Sequence, residues 1–272
     1  MYALALVAAF LPVPIAAAPV AAAAGPDSSG SAIMQTSAAP VTRAYVAIPA
    51  GAHVPFYGDG ESETIEAFEF DRYLVTQHDF RRFIEANPQW RRDRVKGAFA
   101  DDGYLRDWSA PLRASEPAAP VVNVSWFAAR AFCSADGARL PTTAEWEYVA
   151  SASADLRNAS RDEAFRALVL EMFTRPRPDR LPAAGSGMRN AYGIYDLHGF
   201  VREWVSDFNN VMVSDDSRGT GGNDAQLYCA AAASNARDPA DYAAFLRYSL
   251  RASLNGRSAQ SNVGFRCARS IQ

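Results

Sequence analysis

Cysteine, histidine and lysine are all scarce in this chain of 272 residues: there are three cysteines and three histidines, and Lys96 is the only lysine among 27 basic residues. Three cysteines are too few for a small scaffold stapled by disulfides. His53, His78 and His198 lie far apart, so an iron or zinc site built on three histidines would need distant segments to converge. His78, next to Phe80 on a helical pattern, reads as a packed or surface residue. No HExxH, no GxSxG and no glycine-rich loop leading into a helix occurs, which removes the common zinc-protease, serine-hydrolase and nucleotide-binding signatures. Neither sign of charge is in excess: 27 basic against 30 acidic residues leave −3. That balance argues against nucleic acid or an anionic lipid surface as the partner. What is present, 49% apolar and 21% charged residues, is the composition of a folded chain, long enough for one large domain or two small ones.

A long uninterrupted hydrophobic run is also missing. Tyr2 to Val20 carries no charge, but Pro12, Pro14 and Pro19 interrupt it, which makes a poor transmembrane helix. Ala22, Ala23 and Ala24 then place small residues where a signal peptidase cuts, although no Lys or Arg precedes the apolar run. The expectation is a secretory signal over 1–24, cleaved near Ala24, and a Ser/Ala/Gly/Pro-rich linker over 25–42. One folded domain then occupies 43–272, in a secreted or periplasmic protein with no membrane span after cleavage. In an oxidising compartment Cys133, Cys229 and Cys267 allow one disulfide and one remaining thiol.

Alternation predicts strands at Tyr45–Pro49, at Phe68–Val75 and, weakly, at Tyr242–Ser249, with a closing strand at Asn262–Ser270. Helical spacing of Phe80, Phe83 and Ile84 predicts a helix over Gln77–Asn87, capped by Thr76 and ended by Pro88. Ser125 caps a second helix running to about Ala135, and Thr142 or Thr143 a third ending at Ala150; a fourth spans Asp162 to Met172. Long loops fill the rest.

Two segments suggest chemistry. Gly219 to Asp224 (GTGGND) has some likeness to a calcium-binding turn, but a single copy reads better as a plain glycine-rich loop. In Tyr195 to Trp204 (YDLHGFVREW), Asp196 and Glu203 flank Gly199. A looped backbone there could turn both carboxylates and the intervening carbonyls inward as hard oxygen ligands for Ca²⁺; a solvated or salt-bridged pair is the alternative.

Four collinear segments together resemble the formylglycine-generating enzymes, or sulfatase-modifying factors: FEFDRYLVTQHDFRRF (68–83), VNVSWFAARAFCSADGARLPTTAEWEY (122–148), YGIYDLHGFVREWVSD (192–207) and NVGFRCAR (262–269). The resemblance implies a single compact, loop-rich α+β domain related to the C-type lectin fold. It also implies a Cys133–Cys267 disulfide, and a calcium site made by the Asp196 and Glu203 side chains with the Gly199 and Val201 carbonyls. At two positions beside that ligand set the sequence departs from the family: Phe200 replaces the usual Asn and Arg202 the usual Trp. A second structural disulfide found in some members would fall near Ala150 and Tyr248, and both cysteines are missing here.

The family's chemistry is a copper-dependent oxidation of a substrate cysteine by O₂, with Cu(I) held between two neighbouring thiolates. Here only Cys229 stands in that region, so the two-thiolate site has one ligand at most. The resemblance still implies an oxidative maturation factor, with Cys229, Tyr228 and Arg251 as its catalytic candidates and copper as a candidate cofactor, acting as a monomer on a secreted peptide or protein. The alternative is a non-catalytic binding or assembly factor for a secreted partner such as a copper respiratory enzyme. An authentic sulfatase activator is disfavoured.

Overall fold

In both YVAI and FEFD one face of the alternating pattern is apolar, and the two segments pair along that face. In the computed structural model, which describes residues 41–57, 60–108, 116–209, 238 and 241–271, β1 (Tyr45–Ile48) runs antiparallel to β4 (Phe68–Asp71), with Val46 opposite Phe70 and Ile48 opposite Phe68. β7 (Ala268–Ser270) pairs with the other edge of β4, so the central sheet has the order β1-β4-β7. Two small ladders complete the strands: β2 (Gly51–His53) with β3 (Glu63–Ile65), and β5 (Arg202–Glu203) parallel to β6 (Val263–Gly264). All described residues lie in the unit Ser37–Gln272.

The helices start where capping side chains are available. Thr76 opens α1 (Gln77–Ala86) in a reciprocal capping box with Asp79, so the shorter acid does what Glu usually does. Ser125 caps α2 (Trp126–Ala135), and Thr142 with Glu145 closes a second box on α3 (Thr143–Ala150). Asp162 caps α4 (Glu163–Thr174) through the amides of Ala164 and Phe165. The strand expected at Tyr242–Ser249 is instead helix α5 (Tyr242–Ser253). Its buried set is Ala243, Ala244, Tyr248 and Arg251, a helical stripe that includes an arginine. Over the eight residues 242–249 such a stripe is too short to separate from a weak alternation. The expected closing strand is two short ones, β6 and β7, separated by Phe265, Arg266 and Cys267, all fully buried.

An aromatic nucleus holds α1 and α2 against the sheet. Phe80, Phe132 and Phe265 meet with ring centroids 5.3–6.1 Å apart, geometry worth about 1 kcal/mol per pair beyond burial. The expected disulfide is present: Cys133 on α2 joins Cys267 with Cα atoms 5.6 Å apart. It closes a loop 134 residues in sequence separation, worth about 4–5 kcal/mol in the chain-entropy picture. Among the described residues no helix is long and apolar enough to cross a membrane.

Candidate functional site

The 195–204 segment does form a tight loop, but its oxygens are already engaged. Asp196 adopts a left-handed backbone, φ 65°, and its carboxylate accepts from the amides of Gly185 (2.6 Å) and Gly187 (2.8 Å). A Cβ at Gly187 would lie 2.4 Å from Asp196 Oδ1, so the close approach requires glycine. Burial nonetheless leaves the Asp196 carboxyl raised, the two amide bonds opposing it. Glu203 is fully enclosed: Arg266 Nε and Nη2 bind its two oxygens at 2.8 and 2.9 Å, and Trp146 Nε1 donates at 2.9 Å. The Gly199 carbonyl accepts from Arg202 Nη1 at 2.7 Å, and Arg202 Nη2 reaches the Phe173 carbonyl while its guanidinium lies 3.6 Å over the Phe173 ring. Burial lowers the Arg202 pKa to about 10, with the Arg247 charge adding to the effect, so it stays a cation at neutral pH.

Guanidinium groups thus stand at two of the oxygen donors expected to face a calcium ion. As arranged, this donor set does not fit Ca²⁺, which needs six to eight oxygens turned to one point. Among the described residues no cluster of three or more His, Cys, Asp or Glu side chains is placed to hold a metal. Val201 is buried with Leu74, Val122 and Leu181 in a small apolar cluster.

A second buried carboxylate, Glu147, follows Trp146 on α3. Arg247 binds it in a fork at 2.7 and 3.1 Å, and Arg251 at 2.7 Å. Arg251 also lies 4.8 Å over the Trp146 ring. Burial alone would push the Glu147 carboxyl up, but the two arginines hold it down to about 2. Arg251 therefore fixes a carboxylate of its own chain and is buried by doing so.

Glu147 and Arg247 of this ion cluster line a cleft of about 820 Å³ between the β2 end, α3, α4 and α5. Pro55, Phe56, Leu156, Phe165 and Val169 supply apolar surface. His53 and His198, which the sequence gave no reason to pair, both line it. His198 is buried, and burial, helped by the Arg247 charge, holds its pKa down to about 4. The neutral ring therefore donates from Nε2 to the Ala150 carbonyl at 2.9 Å. Burial also lowers the His53 pKa, and its Nε2 is shut off from solvent with no partner among the described residues. Ala150 and Tyr248, the positions near which a second disulfide falls in some family members, border the same cleft. His198 is also shared with a smaller, mostly apolar pocket of about 420 Å³ lined by Leu168, Met172, Leu181, Met188 and Phe200. His78 stands apart on α1, half-exposed beside Asp79.

Tyr228 and Cys229 lie outside the described residues, as does the 219–224 loop. The disulfide consumes two of the three cysteines, so one chain retains a single thiol and does not fit a two-thiolate copper site.

Residues 31–271 match the family described as the sulfatase-modifying factor enzyme 1-like domain. Among curated relatives, an inactive C-alpha-formylglycine-generating enzyme 2 from Bos taurus is 28% identical over 261 residues, covering 80% of this chain and 83% of its own. A formylglycine-generating enzyme from Mus musculus is 25% identical over 268 residues, covering 77% and 69%. Solved structures with a related course of the chain include PvdO from Pseudomonas aeruginosa (20% identity, TM-score 0.44, 84% and 94% covered) and CarF (20%, 0.47, 85% and 99%). With the family matched across nearly the whole described region and the α+β architecture in place, this chain belongs to the sulfatase-modifying factor, or formylglycine-generating enzyme, family.

Proposed function

We propose that this chain is an exported member of the family that recognises a segment of a secreted peptide or protein partner in the 820 Å³ cleft, without carrying out the copper-dependent oxidation of a cysteine. The observation that carries this reading is the thiol count: Cys133 and Cys267 are spent in the disulfide, leaving Cys229 alone. The name of the bovine relative, an inactive enzyme, is in keeping with it. Export is supported by the apolar, proline-interrupted N-terminal segment and by a disulfide of the kind that persists in oxidising compartments. The chain acts as a monomer on this reading.

The oxidative reading survives in one form, in which Cys229 and Tyr228 work beside Arg251 with O₂ and a single-thiolate copper. What favours it is that Arg251 shares the Glu147 carboxylate with the cleft wall. One set of measurements separates the two. Incubation with Cu(I), O₂ and a cysteine-containing sulfatase peptide is expected to yield no aldehyde by mass spectrometry. Capture of the native exported partner is expected to survive Cys229→Ser and to fail in Leu156→Arg, a substitution at an exposed position on the cleft. Oxygen consumption with the partner that disappears in Cys229→Ser would establish the oxidative reading instead.

A further inference from the structure

We propose that the gap lined by Arg202, Arg247 and Arg251 binds one small monovalent anion, chloride in a saline medium. The site is independent of what the 820 Å³ cleft binds.

Uncompensated charge is the driving force. Glu203 also lines the gap, but Arg266 takes both of its oxygens and cancels its charge. Glu147 is shared between Arg247 and Arg251, so it balances only one of them. Arg202 makes no ion pair among the described residues; its two bonds go to the neutral carbonyls of Gly199 and Phe173. Three guanidiniums at the gap thus stand against one carboxylate, and two positive charges are left over. Asp241, whose charge reaches Arg247, and Asp196, whose charge is felt with that of Arg266, line the neighbouring cavities and not this gap. Burial and the Arg247 charge bring the Arg202 pKa down to about 10, in keeping with a cation short of counter-charge.

Open donors make that excess usable. Arg202 lies on the Phe173 ring at 3.6 Å and Arg251 on the Trp146 ring at 4.8 Å, which leaves their N–H edges for a ligand. Arg251 Nε and Nη2, Arg247 Nη1 and Arg202 Nε donate to no described residue. None of these nitrogens is sealed from solvent, so an ion can reach them. Size then selects among anions. The gap holds about 20 Å³, room for one water or one monatomic ion and too little for a sulfate, a phosphate or a carboxylate group. Leu197, Leu250, Leu254 and Val263 complete its lining, and apolar walls strengthen the attraction between an ion and the guanidiniums.

³⁵Cl NMR of the full chain reads the site directly, because a bound halide broadens the line of the free ion. Excess broadening is expected in proportion to protein, competed away by bromide and untouched by sulfate or gluconate at fixed ionic strength. Arg202→Met is expected to weaken binding about tenfold, the worth of one charge-assisted hydrogen bond. Leu250→Phe, which puts a larger ring into the gap and keeps every charge, is expected to abolish it. Arg81→Gln, an exposed position on α1, should bind chloride as the wild-type chain does, and thermal melts check that each variant folds. A wild-type chain without excess broadening would mean that water alone fills the gap. Sulfate competing as well as bromide would mean that ions gather at surface arginines. Either result overturns the proposal, as does undiminished broadening in a folded Leu250→Phe or Arg202→Met chain.

Discussion

Two buried glutamates lie beside one tryptophan, Glu203 as the acceptor of its indole N–H and Glu147 as the next residue in the chain, and they serve different ends. Glu203 meets Arg266 with both side chains fully enclosed, and every N–H of that guanidinium is used: Nε and Nη2 on the carboxylate, Nη1 on the carbonyls of Asp71 and Arg72, Nη2 again on Tyr195. This knot ties the end of β4, the 195–203 loop and the C-terminal strands together, and the gap that Glu203 lines among the described residues holds only about 20 Å³. Glu147 meets two arginines from a single helix, α5, and borders the large cleft. The pairing of arginine with glutamate is thus a fastener in one place and, with two guanidiniums on one carboxylate, a wall with one positive charge in excess in the other. Burial alone does not tell them apart; the number of chain segments each one joins does.

The sharpest way to break that contrast is to remove one partner on each side. Arg266→Met strands Glu203 in the interior and should cost about 3–5 kcal/mol, read as a lowered urea midpoint or failure to fold. Reducing the Cys133–Cys267 bond should cost about 2–4 kcal/mol in the same assay, the measured range for such bonds, which falls below the chain-entropy value given above. Acid should act in two stages. His198 has a folded pKa of about 4, below its unfolded value, so the unfolded chain binds the extra proton first. Stability is therefore lost as pH falls from about 6.5 to 4, by up to roughly 3 kcal/mol. Glu147, held at about 2, adds stability above its unfolded pKa that is lost as pH falls from about 4.5 to 2. His198→Gln, which retains a donor for the Ala150 carbonyl, should flatten the first stage in pH-dependent thermal melts and leave the second. The smallest effect is expected from calcium. Exchanging millimolar CaCl₂ for EGTA should leave the melting temperature within about 1 °C, whereas ligand binding at 100 times Kd would add about 2.7 kcal/mol.

The helix starts were legible because a cap and its partner sit three residues apart: Thr76 with Asp79, Ser125 with the Ala128 amide, Thr142 with Glu145. The disulfide was legible only through the family resemblance, since spacing alone does not choose among three cysteines. The 195–204 segment was read as a loop that could turn Asp196 and Glu203 inward as calcium ligands, with a solvated or salt-bridged pair as the alternative; what the sequence withheld was their partners. Arg266 comes 63 residues after Glu203, and the Gly185 and Gly187 amides belong to a loop without pattern. Arg251 was read only as a catalytic candidate, and the carboxylate that it binds, Glu147, comes 104 residues earlier in the chain. His53 and the cleft were missed for the same reason. A histidine draws attention beside another histidine, whereas here its place in the cleft comes from walls supplied by four separate elements.

The order β1-β4-β7 has a consequence for biogenesis. Strand β4 needs a neighbour that is synthesised some two hundred residues later, and Arg266 and Cys267 arrive with that neighbour. During synthesis the first half of the domain must therefore wait with Phe68, Phe70 and a reduced Cys133 uncovered. Nascent chains of this protein should depend on holding chaperones until the tail emerges, and a premature stop before β7 should leave fragments fit only for proteolysis.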